Sequence, residues 1–148
     1  MENYMRFFLA LGVALTLMSC TEDIRFINVA PSVTSIGPIE NLGDNEIRVF
    51  LTIQDFESDP VDIEVTLQNS AGNILAVSVV PGKGHGVVGL SSTPSIPGTL
   101  HELFLEANPE DGDVTLSITP DDFEGGPGLA LTTPEFNLAE GLESTYIP

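Results

Sequence analysis

Val61-Asp62-Ile63-Glu64-Val65-Thr66-Leu67-Gln68, running into Asn69-Ser70-Ala71-Gly72-Asn73, is the stretch that decides the fold. Val61, Ile63, Val65 and Leu67 alternate with Asp62, Glu64, Thr66 and Gln68, the period of two of a strand with one buried and one wet face. Gly72 and the flanking asparagines accept positive φ at low cost, so a hairpin turn follows. Ile74 to Val80 then returns as the partner strand, and Pro81-Gly82 ends it.

The same period recurs on both sides. Ile47, Val49, Leu51 and Ile53 alternate with Glu46, Arg48, Thr52 and Gln54, while Phe50 interrupts the polar face and is read as an edge cover. Val114, Leu116 and Ile118 alternate with Thr115, Ser117 and Thr119, and Leu129 to Leu138 supplies a last strand, kinked near Pro134. Between them, 82–98 is rich in Gly, Ser and Pro with a short strand at Val87 to Leu90, and Leu100 to Ala107 fits either a strand or one short helix. About seven short strands separated by Gly, Pro, Asn and Asp predict an all-β chain, an immunoglobulin-like antiparallel β-sandwich, with a small barrel as the alternative. With no Trp and a single Cys, the chain lacks the buried Trp and paired cysteines of an antibody domain.

Charge narrows the function classes. The 148 residues carry 22 acidic and 4 basic side chains, a formal charge of −18, and beyond residue 20 only Arg25, Arg48 and Lys83 are basic. Phosphate neutralisation needs clustered Lys and Arg, so nucleic acid is excluded as a partner. A divalent cation or a cationic partner suits this balance better. At 42% apolar residues the chain is too hydrophobic for charge-driven disorder.

The first residues give an address. Arg6 precedes the apolar run Phe7 to Met18, which is shorter than the roughly 20 residues a membrane span requires. The run closes on Leu17-Met18-Ser19-Cys20, which resembles the lipobox of bacterial lipoproteins. That resemblance implies a lipoprotein signal peptide over 1–19, a lipidated Cys20 opening a tether over 20–30, and attachment to the membrane through acyl chains. Each buried CH2 of such a chain stabilises attachment by about 0.8 kcal/mol. Thr21 in place of the aspartate associated with inner-membrane retention implies an outer-membrane lipoprotein of the cell envelope. Glu22-Asp23 resembles the surface-export signals of some lineages. The sandwich would occupy 31–138, and 139–148 reads as a loose tail.

A second resemblance covers the domain. Ala30-Pro31-Ser32-Val33, Ile53-Gln54-Asp55-Phe56-Glu57-Ser58-Asp59-Pro60-Val61, and Val114 to Asp122 followed by Gly126-Pro127-Gly128 and Phe136 are similar to bacterial cadherin-like or fibronectin type III-like modules. These often carry an Asp-x-Glu-x-Asp-Pro loop between two strands. The linker signatures of animal cadherins are absent, so their adhesive mechanism is not implied.

Asp55, Glu57 and Asp59 lie at i, i+2 and i+4 in one loop, and Asp121, Asp122 and Glu124 in another that shares its end of such a sandwich. Six carboxylates brought together invite a compensating Ca2+, which takes roughly 6 to 8 oxygens. A solvated acidic rim is the plainer account of the same residues. An EF-hand is excluded, because its glycine position holds Pro60 and its last ligand position Thr66.

Glu110, Asp111 and Asp113 around Gly112 belong to the opposite end and are explained by turn chemistry, with a second cation the alternative. Gly82-Lys83-Gly84-His85-Gly86 lacks the Ser or Thr and the helix of a phosphate-binding loop. His85 and His101 are the only histidines, and no Gly-x-Ser-x-Gly elbow accompanies them.

The expectation is a non-catalytic envelope lipoprotein that presents its domain to an unknown protein or glycan partner, or for structural support. A Ca2+-stabilised adhesion or matrix-binding module is the alternative. A small hydrolase using His85 or His101 ranks third.

Overall fold

A computed structural model describes residues 27–108 and 112–148. Cys20 with its signal segment, and Glu110 and Asp111 of the Gly112 loop, lie outside the described residues. The strands are β1 (Ser32–Gly43), β2 (Glu46–Gln54), β3 (Asp62–Asn69), β4 (Ile74–Leu75), β5 (Val77–Val79), β6 (Thr99–Ala107), β7 (Asp113–Asp121), β8 (Leu131–Thr132) and β9 (Phe136–Asn137). One sheet runs β1-β2-β6-β5; the other runs β4-β3-β7-β8, with β9 also on β7. All pairings are antiparallel. This order is that of an immunoglobulin-type sandwich, in which first, second, fifth and fourth strands form one sheet.

The alternating residues supply the core. Ile47, Val49, Leu51 and Ile53 of β2, Leu103 and Leu105 of β6, Leu67 of β3, and Val114, Leu116 and Ile118 of β7 are buried to within 1%. Each such side chain contributes about 1.5–3 kcal/mol by leaving water, which is what holds the two sheets face to face without a disulfide. No helix among the described residues is long and apolar enough to cross a membrane.

Several expectations are corrected. Phe50 is not an edge cover, because β2 lies between β1 and β6; the Arg48 guanidinium stands 5.3 Å from the ring centroid. Arg48 also pairs with Glu40 and Glu102, and the Glu40 hydrogen bond above all raises its pKa. Ile74 to Val80 is not one strand. Ile74 and Leu75 pair with β3, and after Ala76 the chain crosses so that Val77, Ser78 and Val79 pair with β6 of the other sheet. Leu100 to Ala107 resolves as strand β6 at the centre of its sheet. Val87 to Leu90 is not a strand, but Ile63 N–H donates to the Val87 carbonyl (2.9 Å) and Val61 exchanges hydrogen bonds with Leu90.

The segment expected as a loose tail is docked. Ile39 exchanges hydrogen bonds of 2.8 Å with Leu142, and Ile36 pairs with Tyr146 in the same way. The tail thereby covers the outer edge of β1. That edge is long and would otherwise present unpaired backbone groups, a template for aggregation. The remaining edges, β4, β5, β8 and β9, are only two or three residues long. The kink at Pro134 has a specific device beside it: Thr133 N–H donates to the Leu116 carbonyl, and its hydroxyl accepts from Leu116 N–H at 3.0 Å.

Candidate functional site: an acidic, aromatic loop end

β2 ends at Gln54, β3 begins at Asp62 opposite Asp121, the last residue of β7, and β6 begins at Thr99 opposite Ile53. The loops 55–61, 80–98 and 122–130 therefore gather at one end of the sandwich. The first described residues join them there. Asn28 donates its side-chain amide to Asp122 Oδ2 at 2.8 Å, and Val29 N–H points to Glu57 Oε2 at 3.4 Å. The two acidic loops thus flank one dipeptide. A Cβ on Gly128 would run into the Pro31 carbonyl, so this junction is packed closely enough to require glycine.

Within each loop the carboxylates divide by task. Asp55 is 2% exposed, and its Oδ2 accepts Asp59 N–H at 2.7 Å. Ser92 Oγ lies 3.5 Å from the same oxygen and donates to the Asp59 carbonyl at 2.7 Å. Asp122 is 6% exposed, and its Oδ1 accepts the N–H groups of Glu124 (3.1 Å) and Gly125 (2.9 Å). Burial pushes the Asp122 carboxyl up, but the hydrogen bonds from Gly125, Asn28 and Glu124 together outweigh it and hold the group below the usual carboxylate range. Asp121 is half-buried and accepts Phe123 N–H at 2.8 Å. Glu57 and Glu124 are exposed, and Asp59 is half-buried.

The predicted sharing of one end by Asp55, Glu57, Asp59 and Asp121, Asp122, Glu124 is what the strand register produces. Convergence on a single point is a different matter. Among the described residues no group of three or more His, Cys, Asp or Glu side chains is arranged to hold a metal ion. Asp55 Oδ1 and Asn28 Oδ1 are nevertheless buried without a hydrogen-bond partner. Asp113, at the far end of β7, accepts the Asn137 side-chain amide at 2.9 Å.

One signal at this end escaped the reading of the sequence. The tripeptide Asp-Phe-Glu occurs twice, as Asp55-Phe56-Glu57 and Asp122-Phe123-Glu124. In both copies the Asp is buried as a cap for its own loop while the Phe is left exposed, 71% at Phe56 and 73% at Phe123. Phe123 sits at φ 64, the left-handed region that a bulky side chain seldom occupies.

The long 80–98 loop is sewn over the same end. Asp55 N–H donates to the Thr93 carbonyl, Gln54 to the Pro94 carbonyl, and Gly89 N–H to Asp62 Oδ1. Lys83 is engaged elsewhere, with its ammonium 2.7 Å from Glu46 and 5.8 Å from the Phe104 ring centroid.

His85 and His101 meet edge to face, with ring centroids 5.2 Å apart. His85 Nδ1 accepts Glu102 N–H (3.0 Å), which puts its proton on Nε2. His101 Nε2 donates to the Ser91 carbonyl (2.7 Å), leaving a buried Nδ1 with no partner. Burial first, and the neighbouring His85 in addition, lower the His101 pKa against the Ser91 hydrogen bond, so the ring is neutral at pH 7. A Ser-His-Asp relay needs a hydroxyl on one ring nitrogen and a carboxylate on the other. Neither histidine has that pair of partners.

Comparison of the chain with models of known protein families, with curated proteins and with solved structures gives no match.

Proposed function

We propose that the chain is a lipid-anchored module of the bacterial cell envelope that works by binding rather than by catalysis, with the loop end of its sandwich as the working surface. The observation that carries the reading is the pair of exposed phenyl rings, Phe56 and Phe123, each held on a loop whose preceding Asp is buried as a backbone cap. A rigid sheet scaffold presenting shaped loops is how sandwich domains generally bind. The lipobox-like Leu17-Met18-Ser19-Cys20 supports the anchor. Labelling with a radioactive fatty acid should mark the wild-type protein and not Cys20→Ser, which should also stay unprocessed. Equal labelling of both would overturn the anchor.

A second reading is favoured by the two orphaned oxygens, Asp55 Oδ1 and Asn28 Oδ1. A buried oxygen without a donor is costly, and a divalent cation bound beside the acidic loops would satisfy it. In that case the module is Ca2+-stabilised and suited to adhesion or matrix binding. A cation present at about 100 times its dissociation constant adds about 2.7 kcal/mol to folding, so thermal unfolding of the unacylated chain from residue 21 with millimolar Ca2+ and with chelator decides the matter. A rise that is lost in Asp55→Ala establishes the cation; identical curves remove it.

A further inference from the structure

We infer that the loop end docks, through Phe56 and Phe123, into an apolar socket ringed by Arg or Lys on another protein of the same membrane. The placement beside the membrane rests on the anchor reading above; the docking chemistry does not.

The exposed large apolar side chains are unevenly distributed. Ile27, Phe56, Val88, Ile96, Phe123 and Leu129 are each more than 70% exposed at this end or on the loop that caps it. Among the described residues at the opposite end, Leu42 and Ile74 are the exposed ones. A concentration of exposed apolar side chains rimmed by polar groups marks an interaction site. Two exposed aromatic rings, each followed in sequence by an exposed carboxylate, Glu57 or Glu124, supply the aromatic anchors and polar surroundings typical of an interface.

Charge selects the occupant. The segments 27–31, 55–62 and 121–130 contain no Lys or Arg, and Lys83, the one Lys or Arg of the 80–98 loop, is paired with Glu46, while Glu57, Asp59, Asp62, Asp121 and Glu124 are all at least partly exposed. A second copy of this chain would bring like charges together. A bilayer would take the phenyl rings but, where its lipids are anionic, would repel the carboxylates beside them. A lone cation would satisfy carboxylates without covering rings. A protein surface with cationic side chains around an apolar pocket answers both features at once.

The position of the chain's start says where such a partner sits. Six residues separate Cys20 from Ile27, so the seven steps of a fully extended tether reach at most about 25 Å at roughly 3.3–3.6 Å per residue. Since residues 27–30 enter the fold at the loop end, an anchored chain holds this end close to the membrane surface.

The test uses the full chain in the membrane of the cell that makes it, with the photo-crosslinking analogue benzoylphenylalanine in place of Phe56, of Phe123 or, at the far end, of Ile74. Positions 56 and 123 should give adducts with one protein, at a peptide where Arg or Lys flanks apolar residues, and position 74 should not. Adding Glu57→Lys and Glu124→Lys should cut the yield at position 123 at least tenfold without shifting the melting temperature. Adducts confined to lipid, equal yields from position 74, or a yield indifferent to charge reversal would each overturn the inference. The anchor is judged separately by fractionation. A membrane-bound chain with no protein adduct at position 123 removes the docking and leaves the anchor. A chain beginning at residue 21, exported behind a cleavable signal peptide without a lipid site, that is released yet keeps the adduct retains the docking chemistry and removes its placement.

Discussion

The two ends of this sandwich are closed with the same kind of side-chain cap and differ in where the cap sits. At the far end Asn69 Oδ1 accepts the N–H groups of Ala71 (3.1 Å) and Asn73 (2.9 Å) in a turn exposed to water. At the loop end Asp122 Oδ1 accepts those of Glu124 and Gly125, but the carboxylate is buried and charged. The far end turns the chain with polar residues and leaves little apolar surface. The loop end buries Asp55 and Asp122 and exposes the phenylalanine that follows each, the reverse of what stability alone selects. A turn that only reverses the chain has no need of that inversion.

The contrast predicts unequal costs for the same truncation. Asp122→Ala should lower stability by about 3 kcal/mol, because the charge-assisted hydrogen bonds from Asn28, Glu124 and Gly125 to a buried carboxylate are lost together. Asn69→Ala, whose donors can turn to water, should cost about 1 kcal/mol. Equal losses in paired thermal melts would mean that the buried cap is no more demanding than the exposed one. A second pair probes packing. Gly128→Ala sets a methyl group against the Pro31 carbonyl and 2.9 Å from Pro120 Cγ, and overpacking of this kind costs about 2 kcal/mol. Gly72→Ala meets only the Gln68 side chain at 3.9 Å, so its cost is the left-handed backbone at φ 82, about 1 kcal/mol.

Acid should separate the two burdened groups near the loop end. His101 has a folded pKa below its ordinary 6.5, so the unfolded chain takes up the proton first, and stability falls as pH drops through 6.5 towards the folded value. The His101 ring meets the Ser91 carbonyl through Nε2 and the exposed His85 ring edge to face, and its Nδ1 has no hydrogen-bond partner. Asp122 has a folded pKa below its ordinary 3.8, so the stability its ionised form contributes is present above that value and is lost as pH drops through it. A melting series from pH 8 to pH 3 should show two successive declines, the first flattened in His101→Leu and the second in Asp122→Asn. A first decline that persists unchanged in His101→Leu would assign it to other groups.

How much of this was legible in the sequence depended on whether local period and final placement agree. β3 and β7 alternate in sequence and are legible as strands with one face in the core, and so is β2 apart from Phe50 and from Thr52, which is buried although its place in the pattern is on the wet face. β1 was not identified as a strand, because register shifts at Val33/Ser35, Ile36/Ile39 and Asn41/Gly43 break its period and Gly37-Pro38 lies in the middle. Ile74 to Val80 looked continuous since Ile74, Val77 and Val79 are all strand formers. The crossing at Ala76 between sheets is a tertiary choice with no local mark. The tail carries Leu142 and Tyr146 four residues apart, a spacing that suggests no strand, yet both backbones pair with β1. At the site, the acidic residues were legible as a shared end. Their division into buried caps and exposed rims was not, although the repeated Asp-Phe-Glu was there to be seen.

The smallest expected effect has the opposite sign and sharpens the comparison most. Phe123 occupies φ 64, and at the far end the positive angles without glycine fall on Asp44 (φ 52) and Asn45 (φ 64), residue types that tolerate them. Phe is not such a residue, and Gly in its place removes a backbone cost of about 1 kcal/mol while deleting a ring that is 73% exposed and so contributes little to the core. Part of the gain is returned through the greater freedom of glycine in the unfolded chain. Phe123→Gly should therefore leave stability unchanged or raise it by up to about 1 kcal/mol, whereas Asp44→Gly and Asn45→Gly should change it by only a few tenths. The same Phe123→Gly chain should lose docking at the loop end, read as loss of the adduct formed through benzoylphenylalanine in place of Phe56. A chain made no less stable that no longer binds would show the phenyl ring to be retained for contact with a partner. A clear drop in melting temperature would instead place the ring among the groups that hold the loop together, and the difference between the two ends would then be one of packing alone.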